Sequence, residues 1–183
     1  MAGWKEKRRI MKRYDLTADI YEERYAEEQE AKYRAALENV NASGCWILDV
    51  GCGTGLFFSQ VGACARMVVG VDISRKLLLK AKNTAKTSSN VFVLQADADH
   101  LPFKGGFYDA VFAFTMLQNM PTPTETLSEL KRVVRVGGWI VVTGLKKTFS
   151  LHAFKDVLEG SKLTLVSFVD EEDLKCYVAV LGV

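Results

Sequence analysis

The sequence predicts an α/β fold: a doubly wound, mostly parallel seven-stranded sheet with an antiparallel last strand and helices on both faces. Three features point there. Short apolar runs alternate with helix-like segments through residues 45–160, the pattern of parallel strands joined by helical crossovers. A loop with glycines at alternate positions stands directly after the first apolar run. The last two strand-like runs are joined through Glu171-Glu172-Asp173. That connection is too short for a helical crossover, so the pair is antiparallel.

The elements follow in order. A helix is predicted over 19–40: Asp19 and Glu22 form a capping box, and Glu28/Lys32 and Glu30/Arg34 are favourable i,i+4 pairs. Tyr21, Tyr25, Ala36, Leu37 and Val40 share one face, which lays an aromatic stripe on the domain. Asn41-Ala42-Ser43-Gly44 closes it. Residues 45–50 are almost wholly apolar, as in a strand buried on both faces. The glycine loop and a helix over 55–64 come next. A strand over 66–71 precedes a helix over 75–86, which Ser74 caps. Strands over 91–95 and 108–115 lead to a helix over 124–134, stopped by Gly137-Gly138. A strand over 139–144, a helix near 150–159 and strands over 163–169 and 175–181 complete the chain.

At 183 residues the chain fits one domain, burying about 70% of its unfolded surface. Its 49% apolar and 25% charged residues are a globular composition rather than a disordered one. No apolar run reaches the ~18 residues of a membrane span. The charged N-terminus lacks the apolar stretch of a secretory signal. Cys45, Cys52, Cys64 and Cys176 form no Cys-x-x-Cys pair, so neither a metal site nor a disulfide framework is expected. Free thiols fit a reducing compartment, here the cytoplasm. The net charge of +2 hides one asymmetry: residues 5–13 hold Lys5, Lys7, Arg8, Arg9, Lys12 and Arg13 against a single Glu6. This segment is either a basic arm for RNA phosphates or an anionic substrate, or a solvated helix end.

The central motif is Leu48-Asp49-Val50-Gly51-Cys52-Gly53-Thr54-Gly55. Glycines at a strand-to-helix turn let the backbone approach a ligand closely. A dinucleotide fingerprint needs its third glycine at position 56, where this chain has Leu56, so a pyrophosphate cradle is disfavoured. Asp72 ends the second strand 21 residues after Gly51, where a carboxylate accepts from ribose hydroxyls. Asp97 follows the third strand. Strand ends of such a sheet meet at one edge, so one crevice holds the loop and both acids.

Asp49-Val50-Gly51-Cys52-Gly53-Thr54-Gly55, Gly70-Val71-Asp72-Ile73-Ser74, the run from Gln95-Ala96-Asp97-Ala98-Asp99 to Phe103, and Leu130 through Gly137-Gly138 resemble class I methyltransferases. They are most similar to the ubiquinone/menaquinone-biosynthesis group, over residues 14–144. The resemblance implies S-adenosyl-L-methionine as cofactor. Gly51 and Gly53, with Cys52 between them, would pass under its methionine part, with Asp49 near the amino group. Asp72 would hold the ribose hydroxyls and Ile73 pack on the adenine. Asp97 would accept from the adenine amino group while the Ala98 amide meets a ring nitrogen. Phe114 and Thr115 would border the sulfonium. Residues 1–40 would form an N-terminal helical lid segment on a domain of residues 41–183, with Tyr14, Tyr21 and Tyr25 as pocket candidates.

The acceptor is not written in the sequence. The residues after the fourth strand, Thr115-Met116-Leu117-Gln118-Asn119-Met120-Pro121, depart from the Asn/Asp-Pro-Pro-Tyr/Phe pattern of enzymes that methylate adenine or glutamine amides. Gln118 and Asn119 are candidates to orient a polar acceptor. There is no clear catalytic base: His100 lies in the loop after the third strand and His152 begins the late helix. A small or mid-sized acceptor is one reading. A tRNA or translation-factor methyltransferase that uses the basic arm and a small activating subunit is another. A non-catalytic methyltransferase-like interaction subunit is a third, and a homodimer is open.

Overall fold

A computed structural model describes residues 2–17 and 21–183, with side chains described for 3–16 and 28–183. Its strands are β1 Trp46–Val50, β2 Met67–Asp72, β3 Val91–Gln95, β4 Tyr108–Ala113, β5 Val134–Leu145, β6 Thr164–Val169 and β7 Cys176–Gly182. Its helices are α1 Ala2–Thr17, α2 Tyr21–Leu37, α3 Phe58–Val61, α4 Arg75–Ala85, α5 Pro123–Val133 and α6 Leu151–Gly160, with a 3₁₀ turn at Leu117–Asn119. The strands form one sheet in the order β3-β2-β1-β4-β5-β7-β6. β1 to β5 pair in parallel, and β7 inserts antiparallel between β5 and β6. The antiparallel ending follows from the short joint after β6.

Alternation along β1 sends Ile47 to one face and Leu48 and Val50 to the other. On the first face they meet Tyr33 and Ala36 of α2, Phe58 and Val61 of α3, and Ala81 of α4. On the second face lie Leu127 and Leu130 of α5 and Phe154 of α6. Both faces are therefore covered, which is what the apolar strands require. Ser74 caps α4 as its position predicts, accepting from the Leu77 amide at 3.2 Å. Ser150 caps α6 in the same way.

One open expectation is decided and another changes. Of the two readings of the basic segment, the helical one holds: it is part of α1, a helix that packs on α4. Asp15 fixes that docking, accepting from the Ser74 hydroxyl at 2.6 Å. Lys5, Arg8, Arg9, Lys12 and Arg13 are exposed, but Lys7 is buried. Second, Gly137-Gly138 does not stop α5. The β-branched Val133, Val134 and Val136 favour a pleat, so β5 begins at Val134, and the glycines sit where its register against β4 slips between Tyr108 and Ala110. A Cβ on Gly138 would lie 2.7 Å from the Asp109 carbonyl, so the bulge needs glycine there. The predicted Glu28/Lys32 pair forms, at 2.7 Å, with Lys32 wholly buried. The capping-box residue Asp19 and the side chains of Tyr21 and Tyr25 lie outside the described residues.

Candidate active site

The C-terminal ends of β1, β2, β3 and β4 border a crevice of about 690 Å³, and α1 lies across it with Lys7, Ile10 and Tyr14. Those three positions recur at helical spacing, so one face of α1 is turned to the opening. Gly51, Gly53, Asp72, Ile73, Asp97, Ala98, Phe114 and Thr115 all line this crevice. The sequence motifs, far apart in the chain, are thus brought together at one sheet edge.

The glycine loop and Asp72 form one hydrogen-bonded unit. The Gly51 and Cys52 amides donate to the Val71 carbonyl at 2.8 and 3.0 Å, folding the loop over the end of β2. The Gly53 amide donates to Asp72 Oδ2 at 3.0 Å, and the Ser74 amide donates to Oδ1 at 2.8 Å. Gly51 has φ +76°, and a Cβ there would stand 3.0 Å from Met116 Cγ. The loop therefore presents bare backbone to the crevice. Burial pushes the Asp72 carboxyl up against the pull of its backbone donors. Burial and the neighbouring Asp72 charge push Asp49 up to about 8.

Asp97 is engaged from an unexpected direction. Lys7 Nζ donates to Asp97 Oδ1 at 2.6 Å and pairs with Asp99 Oδ2 at 2.5 Å. Burial opposes the Lys7 charge, but the bonds to both carboxylates outweigh it and hold the ammonium above its usual range. Asp99 in turn accepts from the Thr126 hydroxyl at 2.5 Å, anchoring the loop to α5.

At the end of β4, Thr115 adopts φ +54°, an uncommon conformation for a β-branched residue. Its amide donates to Thr143 Oγ1 at 2.7 Å. Its hydroxyl oxygen accepts from Lys32 Nζ at 3.1 Å and Gln29 Nε2 at 3.3 Å, both from α2. Asn119 Nδ2 donates to the Tyr14 hydroxyl at 3.0 Å, joining two acceptor candidates inside the crevice. Gln118 instead turns back, donating to the Thr115 carbonyl at 2.7 Å. The described residues lining the crevice include no histidine, and both His100 and His152 are exposed.

Behind the glycine loop lies a second, small polar pocket bordered by Gln29, Asp49, Cys52 and Thr54. Gly51 and Phe114 line both spaces. Lys7, Gln29 and Lys32 are the site residues that motif reading missed. Their signal was available: Lys7, Ile10 and Tyr14 share a helix face, as do Gln29, Lys32 and Ala36.

A parallel sheet with a glycine loop tied to an acid at the next strand end is the architecture of a Rossmann-like, nucleotide-cofactor-binding protein. The family model described as "Methyltransferase domain" matches residues 48–142, so this chain belongs to that methyltransferase family, whose cofactor is S-adenosylmethionine. The chain is 40% identical to an uncharacterized chloroplastic methyltransferase of Arabidopsis thaliana, over 56% of this chain and 31% of that one. It is 37% identical to the demethylmenaquinone methyltransferase of Staphylococcus saprophyticus, over 54% of this chain and 44% of that one. It thus spans less than half the length of these two relatives. Among solved structures, a SAM-dependent methyltransferase of Aquifex aeolicus superposes with TM-score 0.80 at 17% identity, covering 91% of this chain and 97% of that one. A Haloferax volcanii methyltransferase in complex with the Trm112 methyltransferase activator gives TM-score 0.79 at 15% identity, covering 92% of this chain and 95% of that one. These two likenesses concern the fold. No described helix is long and apolar enough to cross a membrane.

Proposed function

We propose that this chain is a catalytic S-adenosylmethionine-dependent methyltransferase acting on a small or mid-sized acceptor in the crevice beneath α1. The observation that carries this reading is the Gly53–Asp72 hydrogen bond at 3.0 Å, which sets the loop and a half-buried carboxylate at one mouth. The residues fit the cofactor. The Gly51 backbone has no side chain to hold a ligand off, and both Asp72 oxygens are already oriented by backbone amides. When bound, the cofactor supplies an electrophilic methyl group.

In this reading Asp72 accepts from the ribose hydroxyls and Ile73 packs on the base. Asp97 accepts from the adenine amino group while the Ala98 amide donates to a ring nitrogen. Gly51, Cys52 and Gly53 run beneath the amino-acid tail, with Asp49 near its ammonium. Phe114 and Thr115 border the methyl-transfer point. Residues 1–40 act as a lid on a domain of residues 41–183, with Tyr14 and Asn119 facing the acceptor. The chain's catalytic contribution is then the in-line positioning of a nucleophile away from water. With no histidine among the described crevice residues, an acceptor that is already a nucleophile at neutral pH suits the site. Four unpaired cysteines fit a cytoplasmic location.

A second reading is favoured by one surface. β3 is an edge strand with Phe92 51% and Leu94 42% exposed, and α4, which packs on it, exposes Leu79 at 58%. An apolar edge of this kind suits a small activating subunit that adds to the sheet, and the exposed cations of α1 would then serve an RNA acceptor. Salt-sensitive binding of bulk tRNA would favour this version. A thermal-shift measurement tests the common core of both: saturating S-adenosylhomocysteine raises the unfolding temperature and NAD does not. No rise with S-adenosylhomocysteine contradicts the proposal.

A further inference from the structure

Gln29 lines the polar pocket and reaches Thr115, a residue of the crevice wall. It is 4% exposed, its Nε2 donates to Thr115 Oγ1 at 3.3 Å, and its Oε1 has no hydrogen-bond partner among the described residues. Buried carbonyl oxygens are rarely left unpaired, so such an atom marks a place where a donor arrives. The orientation of the amide is set by its neighbour. Lys32 has only donors to offer, so Thr115 Oγ1 accepts from it at 3.1 Å, and Gln29 brings its own donor to the same oxygen. The Gln29 carbonyl is left for the polar pocket that the residue lines.

That pocket holds two further polar groups, the Asp49 carboxyl and Thr54 Oγ1, the latter also buried and without a partner among the described residues. A carbonyl, a carboxyl and a hydroxyl converge, and the cations nearby point elsewhere: Lys32 is committed to Glu28 and Thr115. Such a set calls for a compact ligand carrying several N–H donors, which is an ammonium. Burial holds Asp49 neutral until such a charge arrives, as its rise to about 8 indicates.

We infer that Gln29 is a specificity-determining residue: its carbonyl accepts from the ammonium of the cofactor's amino-acid tail while its amide fixes Thr115 at the methyl-transfer point. This rests on the S-adenosylmethionine reading above. It makes α2 a direct participant in the site, and it gives the chain a means of rejecting adenosine thioethers that lack the tail.

Calorimetry on the full chain tests it with S-adenosylhomocysteine and with methylthioadenosine, which has no amino-acid tail. Gln29→Met is expected to weaken S-adenosylhomocysteine at least tenfold, about the cost of one lost charged hydrogen bond, and to leave methylthioadenosine within about twofold. Gln29→Glu, which restores an acceptor, is expected to keep S-adenosylhomocysteine within about threefold of the unaltered chain. Unchanged S-adenosylhomocysteine affinity in Gln29→Met, or an equal loss for both ligands, overturns the assignment. Should Gln29→Met not fold, a tenfold or greater loss in Gln29→Glu overturns it. If the unaltered chain binds neither ligand, the cofactor reading itself falls.

Discussion

Lys7 Nζ lies 2.6 Å from Asp97 Oδ1, so the first helix of the chain is tied to the carboxylate expected to meet the cofactor's base. With Asp99 the three groups form a largely buried cluster of one cation and two anions. Breaking such a cluster strands like charges, but α1 can undock and let water in. Lys7→Met is therefore predicted to cost no more than about 2 kcal/mol globally while abolishing slow hydrogen exchange in residues 2–17. The ammonium is held above 10.5 in the folded chain. Its contribution is thus fully present at neutral pH and is lost as the pH rises through that raised value. Exchange mass spectrometry with and without the substitution checks the helix directly.

Asp49 predicts a pH dependence of the same sign in a lower window. Its carboxyl rises from 3.8 to about 8 on folding. Between those values the unfolded chain has released a proton that the folded chain keeps. Raising the pH therefore weakens the fold, by up to ~1.4 kcal/mol per pH unit for one proton. Asp49→Asn removes this slope, so the variant gains on the unaltered chain as pH rises. Urea unfolding at about pH 5 and about pH 8 compares the two. If their difference in stability is the same at both, Asp49 is not the group responsible.

Gly51 combines two restraints that a control can separate. An added Cβ meets the φ of +76° and also Met116 Cγ at 3.0 Å, whereas Gly106 has φ +66° and nothing within 4 Å. Gly106→Ala is predicted to cost about 1 kcal/mol from conformation alone. Gly51→Ala is predicted to cost about 1 kcal/mol more and to weaken S-adenosylhomocysteine, because Met116 forms part of the crevice wall. Denaturant midpoints and calorimetry for both variants check this.

The sheet was legible because each strand is a short apolar run bounded by loop residues, and β3 at Val91–Gln95 falls where the sequence predicts it. The boundary at Val134 was not, since a glycine pair reads equally as a helix stop or a strand bulge until the partner strand is known. The crevice-lining residues Gly51, Asp72 and Asp97 were legible because fixed spacings after strands place them. Lys7, Gln29 and Lys32 were harder. A charged or amide residue on a helix reads as solvated, and only docking of α1 and α2 over the strand ends buries these three. Tyr14 and Asn119, distant in sequence, became neighbours through the same docking.

The most direct test of the central claim is the calorimetric affinity for S-adenosylhomocysteine of the unaltered chain and of Asp72→Ala, with NAD as the competing ligand. A carboxylate that holds two ribose hydroxyls accounts for about 3 kcal/mol. The predicted result is micromolar binding that the substitution weakens by roughly 100-fold, with no heat from NAD. Binding of NAD in place of S-adenosylhomocysteine, or an Asp72→Ala chain that binds S-adenosylhomocysteine as well as the unaltered one, would contradict it.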